Sequence, residues 1–459
     1  MSRVLLVGPS KPTSGKSNWA APPLGLHRLA AWLRQECNAQ VVVHDPCLLG
    51  VPIDEELHGY DIIGFSPLCE TLPNDLPLMT RAAVVNPNAV LVAGGVEATL
   101  NYQTILERTT IEWIVLGEGE EAIASIVRGD RDVPGTIHRA FAKPTTDEAL
   151  WDYYRSLDFS RMGYEEYWRQ TSELRQSAND PDVHTVRLVT STHCNRGCTF
   201  CSVTQWHKAA VGHIARPARL SAEHLLALVE KVKRQIPQTQ TVYFCEDDFC
   251  LERQRVVDFC QHSAELGVSY LIQTHSSRVD PELIDVMANG GIRHITLGIE
   301  NVSDSVLKSF HKPQRLEKIP AFIEQCAARS ITPYLLIILF APCSTIADLK
   351  LNLTTLRQWI DMGAIVSIEP FTMVYRGAPF YDSGHEFEYT VETPEGCAPF
   401  RLAQHILPDD PTAREAMLVF RERWPDYRDT HTPAHAYKGV TGRLALDLLE
   451  EVLRERQYV

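Results

Sequence analysis

Two runs of short Val- and Ile-rich segments, each alternating with helical patterns and each closed by polar or glycine-rich turns, restrict this chain to parallel-sheet architecture. In the first run the apolar segments are Val4–Val7, "QVVVHD" (40–45), "DIIGFS" (61–66), "AVLVAGG" (89–95) and "WIVLGEGE" (113–120). They are apolar on both faces, as strands are when helices cover both sides of a parallel sheet. Between the first two, "GLHRLAAWLRQEC" sets Leu26, Leu29, Ala30 and Leu33 on one helical face. This predicts a five-stranded, doubly wound α/β domain over residues 1–130, with its ligand crevice at the C-terminal ends of the strands. The second run comprises "VRLVTS" (186–191), "TVYFCE" (241–246), "VSYLIQT" (268–274), "RHITLGI" (293–299), "PYLLIIL" (333–339) and "AIVSIEPF" (364–371). Helices are expected after Ser221, burying Leu225, Val229, Val232 and Ile236, and from Pro281, burying Leu283, Ile284, Val286 and Met287. Six such units predict a partial (β/α)6 barrel over 183–380, whose active face is again at the strand C-terminal ends. Residues 131–182 read as a structured connector, because Trp151, Tyr153, Tyr154, Phe159 and Trp168 need surfaces to pack on. Residues 381–459 read as a small, mainly helical capping region, loop-rich at first and ending in the helix "VTGRLALDLLEEVLRERQ".

A length of 459 residues fits two or three domains. The net charge of −14 opposes a general grip on nucleic acid, which needs a basic surface. The opening apolar run is too short for the centre of a signal peptide. The longest one, "YLLIILFAPC" (334–343), is about half a membrane span. A cytoplasmic setting is therefore expected, in which thiols stay reduced and most of the 12 cysteines are small buried apolar residues. Gly15-Lys16-Ser17 imitates the end of a phosphate-binding loop, but Ser10 stands where that loop needs glycine.

Three cysteines do not fit the bland reading. In "HCNRGCTFC", Cys194, Cys198 and Cys201 lie just after the first strand of the second run, with Phe200 before the third. At this cysteine content the spacing arises by chance roughly 0.008 times per chain. A structural zinc site would need a fourth ligand, with His193, His207 or His213 as candidates. A redox dithiol would leave one thiol idle. An iron–sulfur cubane would use all three and leave one iron without a protein ligand.

The C-x3-C-x2-C spacing at the head of a βα barrel resembles the radical S-adenosylmethionine (SAM) superfamily. The preceding α/β domain, with "APPLGLHRLAAWL" and "VLGEGEEAI", resembles its cobalamin-binding branch. The resemblance implies that Cys194, Cys198 and Cys201 hold a 4Fe–4S cluster whose open iron is chelated by SAM. It implies Glu246, Asp247 or Asp248 for the SAM ammonium, Ser276, Ser277 and Arg278 for its carboxylate or ribose, and Glu300 for ribose hydroxyls. Cobalamin would lie against Pro23, Gly25, Ser66, Gly94, Gly95, Glu97, Gly117, Glu118, Gly119 and Glu120. No Asp-x-His-x-x-Gly motif is present to supply a histidine beneath the cobalt. Tyr375 and Arg376 are candidate substrate anchors. The implied activity is methylation of an unactivated carbon in a small-molecule, natural-product or peptide substrate, with an external electron donor such as flavodoxin or ferredoxin. Cobalamin-assisted cyclisation, ring contraction or oxidation is the alternative, and a cobalamin- or cluster-binding sensor the non-enzymatic one. Neither nucleic acid nor membrane is an expected partner.

Overall fold

The computed structural model describes residues 1–10, 21–137, 141–175, 184–388, 403–431 and 438–458. The imitation phosphate loop at 15–17 lies outside them. Among the described residues no helix is long and apolar enough to cross a membrane.

The first sheet contains β1 (Arg3–Val7), β2 (Gln40–His44), β3 (Ile62–Phe65), β4 (Val90–Ala93) and β5 (Trp113–Ile114), all parallel in the order β2-β1-β3-β4-β5. Helices cover both faces, so Leu5, Ile63 and Leu91 serve one core and Val4, Ile62 and Val92 the other. The strand order reverses between β1 and β3, and that switch point opens the crevice where such sheets bind ligands. The expected strand "WIVLGEGE" is strand only at Trp113–Ile114. Its glycine-rich half turns, and the helix Glu120–Arg128 begins at its last residue with two acidic side chains in the first turn. Gly117 makes that turn at φ +69°, and a β-carbon there would lie 2.7 Å from Ala210 of the second unit.

The second sheet contains β6 (Thr185–Leu188), β7 (Thr241–Phe244), β8 (Ser269–Thr274), β9 (Ile292–Glu300), β10 (Thr332–Phe340) and β11 (Ile365–Phe371). They run parallel in sequential order from β6 to β11 without closing, which makes a partial barrel. The two expected helices begin where their caps stand: Ser221 accepts from the His224 N–H and Asp280 from that of Leu283. Between the sheets, the helices Asp147–Arg155 and Tyr164–Arg175 bury Tyr153, Tyr154, Phe159 from the turn joining them, and Trp168. Tyr154 donates to the Val189 carbonyl at 2.5 Å and so ties this segment to the end of β6.

Past the barrel the chain holds more order than its loop-rich appearance suggests. β12 (Met373–Tyr375), β13 (Phe387–Glu388) and β14 (Ala403–Ile406) form an antiparallel sheet in the order β12-β14-β13. A helix not expected from the sequence, Pro411–His431, buries Ala413, Ala416, Met417, Phe420 and Trp424 along one stripe. The final helix, Lys438–Glu455, packs on the outer side of β11, with Gly442 so close to the Val366 carbonyl that any β-carbon would overlap it. It covers the last barrel strand.

Candidate active site

The cysteine loop runs from the end of β6 to the helix Val203–Val211 and is held at several points. Thr204 donates to the Cys194 carbonyl at 2.9 Å, and the Cys201 N–H reaches the Cys198 carbonyl at 3.1 Å. Thr199 donates to the Ser309 carbonyl at 2.8 Å, while Phe200 packs edge-on against Phe310 with ring centroids 4.9 Å apart. All three thiols are unpaired, and burial raises the pKa of each, that of Cys201 to about 12. They are near enough to repel one another as thiolates. Among the described residues, no three His, Cys, Asp or Glu side chains converge to hold a single ion. A cubane takes one thiolate per iron and needs no such convergence.

The acidic triplet after β7 divides by role. Glu246 is buried and accepts from Thr190 (2.5 Å), Arg219 (2.8 Å) and Arg255 (2.5 and 3.3 Å). These bonds occupy the carboxylate, which corrects its assignment to the SAM ammonium: Glu246 ties β6, β7 and the helix Arg253–Ser263 together. Asp248 is also committed. It accepts from Thr274 (2.7 Å), the His275 N–H (3.3 Å), Arg196 (3.1 Å) and Arg278 (3.4 Å). Burial works to raise its pKa, but these hydrogen bonds and the Arg196 charge hold it below the usual range. Asp247 is exposed, and it lies near enough to Cys194 and Cys201 for its charge to act on both thiols; desolvation and the neighbouring Glu246 raise its pKa. It is the carboxylate of the three left for a cation.

Opposite the cysteines stands a residue that the sequence reading missed. The Lys312 ammonium meets Glu300 at 2.5 Å, and its charge acts on Cys198, Cys201, Asp247 and His275. Space for this pair comes from Gly298, where a β-carbon would sit 2.5 Å from the Lys312 Nζ. Glu300 itself has φ +67°, a left-handed conformation rare for a side chain of its size. Gln314 braces it, donating to the Gly298 carbonyl at 2.6 Å and accepting from Ser276. His275, likewise unexpected, takes the Ser277 N–H on Nδ1 at 3.1 Å, which leaves its proton on Nε2. That Nε2 is buried and meets no partner among the described residues. Burial, then Arg196 and Lys312, lower the His275 pKa to about 3, so the ring is a neutral donor.

The crevice of the first sheet contains a cavity of about 220 Å³. Gly25, Ser66, Gly94, Gly95, Gly117, Glu118, Gly119 and Glu120, all residues the resemblance implies for cobalamin, line it. Two expected residues do not. Pro23 caps the helix Leu24–Cys37, and Glu97 turns aside to accept from Asn101 at 3.0 Å. Arg28 spans the cavity wall, bonded to Glu120 (2.5 and 3.0 Å) and Glu118 (2.7 Å). Leu6, Gly64, Val92 and Ile123 make the interior apolar, while Val189 and Trp206 close it from the barrel side. Glycine-rich walls of this kind accept a large flat ligand, and the orphaned polar atoms Glu120 Oε2 and Trp206 Nε1 on its lining suit a polar-rimmed one.

Where the units meet, the Tyr375 hydroxyl pairs with the Cys69 thiol, and Arg376 lies 5.9 Å over the Tyr381 ring with its charge toward Glu97. Glu369, also missed, stands near Glu70. Enclosure and that neighbouring carboxylate raise its pKa to about 7, against the pull of a Phe371 backbone hydrogen bond.

A corrinoid-type crevice facing a three-cysteine barrel defines a class, the cobalamin-dependent radical SAM enzymes. Residues 188–350 match the radical SAM superfamily and residues 14–127 the B12 binding domain. The chain thus carries a radical SAM domain and a B12 binding domain, whose cofactors are a 4Fe–4S cluster, SAM and cobalamin. Its fold is similar to that of the radical SAM methyltransferase TsrM from Kitasatospora setae, with TM-score 0.72, 14% identity and full coverage of both chains. It is also similar to the cobalamin-dependent radical enzyme OxsB, with TM-score 0.70 and 15% identity over all of this chain and 76% of the other. In sequence it is 23% identical to an anaerobic magnesium-protoporphyrin IX monomethyl ester cyclase from Rubrivivax gelatinosus, over 69% of this chain and 58% of that one. It is 23% identical to the cytidylyl-2-hydroxyethylphosphonate methyltransferase of Streptomyces wedmorensis, over 60% of this chain and 56% of that one. The chain thus spans little more than half the length of the cyclase and of the phosphonate methyltransferase.

Proposed function

We propose that this enzyme methylates an unactivated carbon of a small-molecule or peptide substrate. One observation carries the reading: the helix Val203–Val211, which starts two residues after Cys201, also walls the crevice of the first sheet through Trp206. A reaction that uses both cofactors needs them at one cavity. When bound, the cofactors supply the electron that cleaves SAM and the methyl group to be transferred. The chain's own residues position and exclude water. Asp247 offers the carboxylate for the SAM ammonium. Lys312 and Arg278 offer cations for its carboxylate, and Glu300 and His275 Nε2 offer an acceptor and a donor for its hydroxyls. Cys194, Cys198 and Cys201 are proposed to hold the cluster, and the corrinoid crevice keeps the lining residues named above. Tyr375, Arg376 and Glu369, at the junction of the two units, are proposed to face substrate. The electron donor is proposed to be an external flavodoxin- or ferredoxin-type protein.

Cobalamin-assisted cyclisation is the second reading, favoured by the likeness to a cyclase. Anaerobic reconstitution with iron, sulfide, cobalamin, SAM and reductant separates the two. Release of 5′-deoxyadenosine together with a product heavier by one methylene unit supports methylation. An isomeric or dehydrogenated product supports cyclisation, and no SAM cleavage under strong reductant overturns both.

A further inference from the structure

The crevice of the first sheet holds two buried polar atoms of opposite kind that nothing among the described residues satisfies. Trp206 is 8% exposed and lines the cavity from the barrel side, and its indole N–H has no acceptor. Glu120 is 2% exposed and lines the same cavity. Its Oε1 takes both Arg28 hydrogen bonds, and its Oε2 has no donor. A buried donor or acceptor left unmet carries the full cost of its desolvation. Two in one cavity mark where an occupant's polar groups belong.

The occupant must bring one acceptor for Trp206 and one donor for Glu120. Charge narrows its chemistry. Glu118 and Glu120 share the single cation Arg28, so this part of the wall repels phosphate. The remaining lining is largely aliphatic or glycine, which excludes a strongly charged group. A carboxamide supplies both a carbonyl oxygen and N–H donors, and the rim of a corrin ring carries several. We propose that Trp206 and Glu120 grip that rim, Trp206 donating to a carboxamide oxygen and Glu120 Oε2 accepting from a carboxamide N–H. This rests on the reading that the crevice holds cobalamin. Trp206 stands on the helix that leads out of the cysteine loop, so a single rigid element then orients corrin and cluster toward each other.

The test uses the full-length apoprotein and needs no turnover. Hydroxocobalamin and cobinamide, which lacks the nucleotide tail, are titrated separately, read by corrinoid absorbance retained after desalting and by quenching of tryptophan fluorescence. Trp206→Phe keeps an aromatic ring while removing the donor together with part of the indole's bulk. It is expected to weaken both corrinoids roughly tenfold in a protein that still folds when empty, its Tm lowered only by the lost packing. Glu120→Gln, which loses the charged acceptor, is expected to weaken both by a similar factor. Wild-type affinity in Trp206→Phe overturns the inference, as does a loss confined to cobalamin, which would put the contact on the tail. Failure of the wild-type protein to bind either corrinoid overturns the cobalamin reading as well, and so is distinct from a failure of the variants alone.

Discussion

Glu246→Gln and Asp247→Asn, neighbours in sequence, should produce opposite phenotypes. Glu246 is the single carboxylate between two buried guanidiniums, Arg219 and Arg255, and it also takes the Thr190 hydroxyl. Neutralising it removes the carboxylate with which both buried cations are directly paired. Breaking a buried pair in this way costs about 3–5 kcal/mol. For a folding unit of about 200 residues that lowers Tm by about 10 °C. The same change loosens Thr190 and the Ser191–Arg219 bridge, which lie just before Cys194, so cluster retention should fall along with stability. Asp247 is exposed and makes no such network among the described residues. Its replacement by Asn should alter stability by no more than about 0.5 kcal/mol. It should still weaken SAM binding, seen as loss of the SAM-induced change in the EPR spectrum of the reduced cluster. Differential scanning fluorimetry of the apoproteins and EPR of the reconstituted ones measure the two effects. If Glu246→Gln melts like wild type and loses SAM while Asp247→Asn changes neither, the division of the triplet is wrong.

Cys198→Ala should lower bound iron and abolish SAM cleavage, checked by metal analysis and 5′-deoxyadenosine assay; a variant that still cleaves SAM refutes the cluster assignment. Lys312→Met removes a cation beside the Cys198 and Cys201 thiolates and should make the cluster harder to reduce, by on the order of tens of millivolts. Lys312→Arg should restore most of that shift in an EPR-monitored redox titration. Glu369 keeps its proton up to about pH 7 in the folded protein, whereas the unfolded chain releases it near 4.5. The folded state therefore binds the extra proton between these values, and stability falls as pH rises through that window. Denaturation curves of Glu369→Gln should show a flatter pH dependence there and a gain over wild type above pH 7.

Much of the architecture was open to reading because its signals are local. Parallel strands covered on both faces leave continuous Val/Ile runs, and Ser221 and Asp280 mark helix starts within three residues of the N–H groups they cap. Cys194, Cys198 and Cys201 were legible because thiols gathered on one loop are close in sequence. The helix Pro411–His431 was missed although its buried stripe recurs at helical spacing, since Pro425 and a polar surface weaken the pattern. The short strands β12, β13 and β14 were missed because two to four residues carry no period.

The sequence by itself determined the order of the parallel strands and of the helices between them, the glycine-lined turns of the crevice and the cysteine loop, all properties of neighbours along the chain. Only the tertiary structure decided which acidic side chain is free. Whether a carboxylate is neutralised depends on cations tens of residues away, such as Arg219 and Arg255 for Glu246 and Arg196 and Arg278 for Asp248. The same holds for Lys312, Glu369 and Trp206: each was an ordinary residue in its own segment, and its environment came from another strand, another helix or the other sheet.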